Sequence, residues 1–249
     1  MNSIKKFPYQ ELVTRKIAES FENNQEVMSV ILEKVILLGQ KRRFLFGFGS
    51  GHSALFPLEL YHRAGGYSQF IPVVADYLMP QAGPHTVRAL ERSHQVANHL
   101  LAQYSPEVGE MIWIMSQSGI NPAVVDFALH AKSIGLETVA FTNVNHSQAV
   151  PSRHSSGKRL YEVTDHVINL SGEIGDAGCL IQAPHLKAGP TSLVTSVALG
   201  HAILVEACRA LEELGVKSTY TSVNTPTGEA LNKELERFAA LKDFRLKTL

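Results

Sequence analysis

EMIWIMSQSGINPAVVDFALHAKSIG, residues 110–135, reads as a buried strand, a hydroxyl-rich turn and a helix in immediate succession. Met111, Ile112, Trp113, Ile114 and Met115 are apolar without a break, the pattern of a strand covered on both faces in a parallel sheet. Ser116, Gln117, Ser118, Gly119, Ile120 and Asn121 follow, and from Pro122 onward Val124, Val125, Ala128, Leu129, Ala131 and Ile134 recur at helical spacing. Asn121 suits an N-cap, Pro122 the first helical position and Gly135 the residue past the end. A helix start directly after a strand faces the carboxyl edge of the sheet. It presents unpaired N–H groups and the positive end of a dipole worth about 0.3 to 2 kcal/mol to an anion. Two serine hydroxyls and a glycine complete a cradle for a phosphate, although turn chemistry alone also fills such junctions with Ser, Gly and Asn.

The same logic recurs upstream. Residues 43–48 (RFLFGF) form an expected first strand, the turn Gly49-Ser50-Gly51-His52-Ser53 follows, and a helix is expected over about 54–64, ended by Gly65-Gly66. Ahead of this strand, residues 9–38 carry an apolar stripe for one long helix or two successive ones, with Asn23-Asn24 as the expected kink or break. Residues 69–75, with Pro72 as a poor ladder donor, and 137–142 give further strands, and 166–170 a fifth. Residues 86–103 read as a helix, 143–161 as a long polar basic loop, 171–189 as another loop, and 190–214 as a strongly apolar helix; a short amphipathic helix runs through Leu231, Leu235 and Phe238. Strands alternating with helices predict an α/β fold, a three-layer α/β/α sandwich on a mostly parallel five-stranded sheet. With no linker or repeat, residues 1–249 are expected to be one domain, with a helical arm to about residue 40 and a tail from about 216.

At 249 residues, folding removes about 70 to 75% of the unfolded chain's surface from water, so a substantial core is expected. The 23 basic and 23 acidic residues cancel, so no global field draws in nucleic acid or an anionic membrane, and any anion must be met locally. Cys179 and Cys208 carry no zinc spacing and cannot make a disulfide framework, which points to reduced thiols and a cytoplasmic setting. The N-terminus has no apolar targeting segment and no run of about 18 apolar residues occurs, which points away from secretion and membrane spanning.

Two readings of the first turn compete. Gly49, Gly51 and Ala54 fit the looser dinucleotide fingerprint, with Asp76 after the second strand as its acidic partner. That reading leaves the second serine-rich turn unexplained. The turns of Ser53 and of Ser116 and Ser118 converging on one phosphate suit a small phosphorylated ligand better.

GxGxS at Gly49, Gly51 and Ser53, joined to SQSG from Ser116 to Gly119, resembles the SIS (sugar isomerase) domain. The likeness is closest to a bacterial group of single-SIS-domain phosphosugar-binding proteins, and more distant to phosphoheptose isomerases. It extends through HSQAVPSRHSSGKRLYEVTD (residues 146–165), Gly175-Asp176-Ala177 and Gly189-Pro190-Thr191-Ser192. The resemblance implies a phosphosugar surrounded by Gly51, Ser53, Ser116, Gln117, Ser118, Gly119 and Asn121. Phosphate contacts would come from Ser53, Ser116, Ser118 and Asn121, and Thr191 and Ser192 would face the same crevice. It also implies a homodimer or homotetramer with sites near the subunit interface and no organic cofactor; carboxylates and a histidine as sparse as Glu173, Asp176 and His185 point away from a metal.

The resemblance stops short at the catalytic glutamate of phosphoheptose isomerases and muramic acid phosphate etherases, whose position is held here by Arg63. Glu59, one helical turn earlier, is the carboxylate on that helix and shares a face with Arg63 and, by spacing, with His52. An aldose–ketose isomerase needs a base to move a proton between adjacent carbons, so Glu59 is the expected base with His52 or His62 as its partner. The competing reading is an exposed Glu59 beside a turn histidine. A sensor without catalysis, or a lyase or etherase acting on an amino-sugar phosphate, are the alternatives to an isomerase. Arg153, His154, Lys158 and Arg159 could form a lid or simply a solvated run, and Glu173, Asp176 and His185 could meet a metal or sugar hydroxyls.

Overall fold

A computed structural model describes residues 7–183 and 185–247; the first six residues of the expected N-terminal arm, residue 184 in the expected loop and the last two of the tail lie outside the described residues. Five strands, β1 (Leu45–Gly49), β2 (Phe70–Val73), β3 (Met111–Met115), β4 (Glu137–Thr142) and β5 (His166–Asn169), make one sheet in the order β2-β1-β3-β4-β5, with every pair parallel. The helices are α1 (Pro8–Gln40), α2 (Leu55–Leu60), α3 (Pro84–Glu91), α4 (Pro122–Ser133), α5 (Val144–Ala149), α6 (Leu160–Val163), α7 (Ser192–Glu213) and α8 (Gly228–Ala239).

The alternation within β3 explains the three layers. Met111, Trp113 and Met115 join a core with α1, α2 and α7 residues such as Val35, Phe56 and Leu204, while Ile112 and Ile114 face the other core with Val124, Phe127 and Leu160. Each fully buried large side chain contributes about 1.5 to 3 kcal/mol, so a strand apolar on both faces is held from both sides.

Pro72 fits because β2 is an edge strand: its carbonyl points outward to Arg245 Nη2 at 3.2 Å, so the missing N–H takes nothing from the β1 ladder.

The structure corrects the sequence reading at five places. First, α1 runs unbroken for 33 residues through Asn23-Asn24. Asn24 is buried and holds the other edge strand instead, donating to the Asn169 carbonyl at 2.9 Å and accepting the Asn169 N–H at 2.8 Å.

Second, α2 stops at Leu60 rather than near residue 64. Tyr61 is extended, its hydroxyl donates to Asp243 at 2.6 Å, and the following residues pair with the tail through Gly65 N–H to Tyr220 O and Ser68 N–H to Ser218 O. Third, the helix expected over 86–103 divides into α3 and a 3-10 helix, Asn98–Tyr104, around Gln95, whose φ is 57°. Fourth, residues 171–189 include an antiparallel hairpin, β6 (Ala177–Gln182) with β7 (Leu186–Pro190). Fifth, the polar loop at 143–161 contains α5 and the start of α6.

By length and composition alone α7 could cross a membrane. It packs instead on α1 and α2, as a core helix does.

Candidate functional site

β1 and β3 are neighbours, yet the chain reaches β3 only after laying β2 on the far side of β1. The connections therefore leave their carboxyl ends in opposite directions and open a crevice between them. Both serine-bearing turns sit in it. After β1, Gly51 takes φ 57° and starts the 3-10 turn Gly51–Ala54 that carries His52 and Ser53. After β3, Gly119 takes φ 60°, and a Cβ there would lie 2.9 Å from Thr142 Oγ1, so only glycine lets the loop pass. The Gly119 N–H donates to Ser116 Oγ at 3.2 Å, which fixes the turn from inside.

No side chain caps α4: Asn121 turns its oxygen to Arg153 Nη1 at 2.9 Å, leaving the start of the helix to an anion. α7 differs. Asp176 accepts the Thr191 and Ser192 N–H groups at 3.0 and 2.9 Å and the Ser192 hydroxyl at 2.7 Å, so this second helix start already carries a carboxylate.

The crevice holds a cavity of about 270 Å³ whose wall includes His52, Ser53, Ser116, Gln117, Ser118, Asn121 and Ser192. Gly51 and Gly119 shape the turns behind this wall, and Thr191 is fully buried with its Oγ1 lacking a hydrogen-bond partner among the described residues. Glu59 and His62 lie off this wall, so the face expected to unite Glu59 and Arg63 with His52 does not line the cavity, and neither does the expected partner His62. Glu59 pairs with Arg63 on the exposed side of α2 and with His201 of α7 at 3.8 Å, and neither Glu59 nor His201 is on the cavity wall. His62, beyond the shortened end of α2, meets Glu236 at 3.4 Å and lies tilted against the Tyr220 ring at 4.7 Å.

Three groups on the wall went unassigned as catalytic: Glu91, His146 and Asp176. Glu91 arrives from α3 and accepts the Ser50 hydroxyl at 2.9 Å. Burial pushes the His146 imidazole below its ordinary range, against the opposing charge of Asp176, so the ring is neutral at neutral pH. No local signal marked Glu91, because it lies within what reads as an ordinary solvent-facing helix. His146 and Asp176 fell in segments read as loops.

The basic loop is tied down. Arg159 donates to the carbonyls of Ser147 and Val150, at 2.7 and 3.1 Å, and the Arg153 N–H to that of Ile120 at 2.9 Å. Asp76 is exposed and away from the cavity wall, so the dinucleotide reading lacks its acidic partner there. Glu173 is engaged by Lys16 and Lys187, at 3.3 and 3.8 Å, and Asp176 by α7, so the acidic pair considered for a metal is otherwise occupied.

Residues 8–143 match the family described as SIS domain. The chain belongs to that family, whose domains bind phosphosugars. Its relatives include a UPF0309 protein of Shouchella clausii, 32% identical over 91% of this chain and 93% of that one, and a UPF0309 protein of Oceanobacillus iheyensis, 34% identical over 80% and 81%. The fold is also that of a phosphoheptose isomerase from Francisella tularensis, with a TM-score of 0.53 at 11% identity over 81% of this chain and 95% of that one.

Proposed function

We propose that the protein binds a small phosphorylated sugar in the β1–β3 crevice and interconverts its aldose and ketose forms. The observation that carries this reading is the meeting of Ser53 with Ser116 and Ser118 on one cavity wall that also holds a carboxylate, Glu91, and two imidazoles, His52 and His146. Hydroxyls and the open start of α4 suit the phosphate, with Asn121 and Arg153 at its rim. The base we assign is Glu91 in place of Glu59, because Glu91 shares the cavity with the phosphate cradle. Its carboxylate would take the proton from the carbon beside the carbonyl and return it to the neighbouring carbon. His146, neutral by burial, would pass the hydroxyl proton to the carbonyl oxygen, with His52 as the other candidate on the wall.

The test is solvent exchange. Incubated in deuterated water with a panel of aldose and ketose phosphates, the protein is expected to place deuterium at the carbon next to the carbonyl of its substrate. Glu91→Gln should lower that exchange at least a hundredfold while Glu59→Gln keeps it within about threefold. The reverse ranking would return the base to Glu59, and exchange by no member of the panel would remove the isomerase reading.

A sensor is the second reading, favoured by one observation. Asp176 lies on the cavity wall and joins the start of β6 to the start of α7. An arriving phosphate would repel it and could shift the hairpin. Binding without exchange would support this reading, and cleavage of an amino-sugar phosphate would support the lyase or etherase alternative.

We also infer a homo-oligomer, supported by the exposed Leu180, Ile181 and Leu186 of the hairpin and by an apolar groove between α1 and α7 lined by Phe21, Met28, Leu32 and Ile203. Sedimentation of a monomer at micromolar concentration would contradict it. The free thiols Cys179 and Cys208 are consistent with a reducing, cytoplasmic setting.

A further inference from the structure

Outside the crevice, three stretches of chain converge on Asp126 of α4. His94, from the turn after α3, brings Nδ1 to 2.9 Å from Asp126 Oδ2, and His154, from the loop at 150–159, brings Nε2 to 2.8 Å from Asp126 Oδ1. The two rings lie 4.9 Å apart at 67°, and the three ligand atoms fall within 4.8 Å of one another. The residues are far apart in sequence, so no spacing announced them.

We propose that His94, Asp126 and His154 bind a divalent transition ion of the zinc class. Two imidazoles and one carboxylate are the donors such ions take, and the mixed set does not suit magnesium or calcium, which prefer oxygen alone. At bond lengths of about 2.0 to 2.2 Å, tetrahedral donors stand about 3.4 Å apart. The 2.8 and 2.9 Å contacts run to different oxygens of Asp126, so one ion would take both oxygens or draw both nitrogens toward one of them, from ligand atoms that already lie within 4.8 Å of one another.

Neighbouring groups hold two of the three donors in place. Asp126 Oδ2 accepts the Gln95 N–H at 2.7 Å, which holds the carboxylate in place. His154 Nδ1 accepts the Ser156 N–H at 3.1 Å and has Ser156 Oγ at 2.7 Å, so coordination through Nε2 requires the ring to take its other tautomer, giving up the backbone bond and donating Nδ1–H to Ser156 Oγ.

The His154 side chain is 6% exposed and that of His94 is 43%, so an ion enters from the His94 side, where the fourth position is left to water. Bound there, it braces the loop whose Arg153 reaches Asn121 at the cavity rim. The ion need take no part in the chemistry of the crevice.

The test uses the full untagged chain, stripped with chelator and dialysed against zinc chloride, with bound metal counted. Cobalt chloride serves as a second probe, because tetrahedral ligation gives it visible absorption bands. One zinc per chain is expected, with affinity lowered at least tenfold in His94→Ala and in Asp126→Asn, and about tenfold in Ser156→Ala. Magnesium chloride should not compete. His94 is exposed enough that its variant keeps the metal-free melting temperature, so its result stands even if the Asp126 variant folds poorly. No stoichiometric zinc, or zinc binding unchanged in His94→Ala, would overturn the proposal and leave the cluster as hydrogen bonds that fasten the loop.

Discussion

Asp176 and Ser192 are joined through side chain and backbone at once: the carboxylate accepts the Ser192 N–H at 2.9 Å and its hydroxyl at 2.7 Å. A negative charge therefore rests on the α7 helix start, one wall of a cavity proposed to receive a second anion. Asp176→Asn keeps the shape and removes the charge. We expect it to lower stability by about 1 kcal/mol through the weakened cap and to tighten binding of inorganic phosphate several-fold. Calorimetric titration checks this, and weaker binding in the variant would contradict it.

The serines of the two turns should contribute separately. Each of Ser53→Ala and Ser118→Ala is expected to weaken sugar phosphate binding about tenfold, the loss of one hydrogen bond to a charged group. Ser116→Ala should do the same and also cost about 1 kcal/mol of stability, because its oxygen accepts the Gly119 N–H. Equal effects of all three on melting temperature would show that Ser116 does not hold the turn.

Asp243 and Arg245 fasten the tail to the sheet. Asp243 is fully buried and accepts from Arg245 Nε and Nη2, both at 2.7 Å, and from the Tyr61 hydroxyl at 2.6 Å. Burial alone would raise its pKa, but the Arg245 and Tyr61 hydrogen bonds outweigh it and the carboxyl titrates below the ordinary range. The contribution to stability is therefore complete above the unfolded value of about 3.9 and lost as pH falls through the lower folded value. Asp243→Ala should cost about 3 kcal/mol at neutral pH, the low end for a broken buried pair because the Arg245 side chain is 28% exposed. Denaturant melts between about pH 5 and pH 2 should lose stability more steeply in the parent than in the variant.

Asn24 does for β5 what a sixth strand would do, since its amide pairs with both backbone groups of Asn169. Asn24→Ala leaves those groups and the space unfilled. A loss of about 2 kcal/mol is expected in urea unfolding, and a loss below about 0.5 kcal/mol would mean that water replaces the side chain freely.

What the sequence disclosed and what it hid divide along a physical line. Local patterns carried β3 and β4 to the residue and α4 to within one residue at its end, because an unbroken apolar run, a proline at the first helical turn and Gly135 act within a few positions of themselves. The meeting of Ser53 with Ser116 and Ser118 was legible too, since strand-turn-helix junctions all open on the same sheet edge. Long-range contacts were not. α2 ends early because the tail captures the segment from Tyr61 to Ser68, which carries His62 and Arg63 beyond the helix on which spacing had placed Arg63 with His52 and Glu59. Glu91 ends α3 on the cavity wall, and the chain after it breaks at Gln95, whose N–H is held by Asp126 in a distant helix, a contact that no local pattern announced.

The central claim is that both turns grip one small dianion, and a crystal structure with a bound hexose phosphate tests it most directly. The account predicts phosphorus between the turns, its oxygens within about 3.2 Å of Ser53 Oγ and of the Ser116 or Ser118 hydroxyl at once. A phosphate held by one turn alone, or a nucleotide with its base beside Asp76, would contradict it.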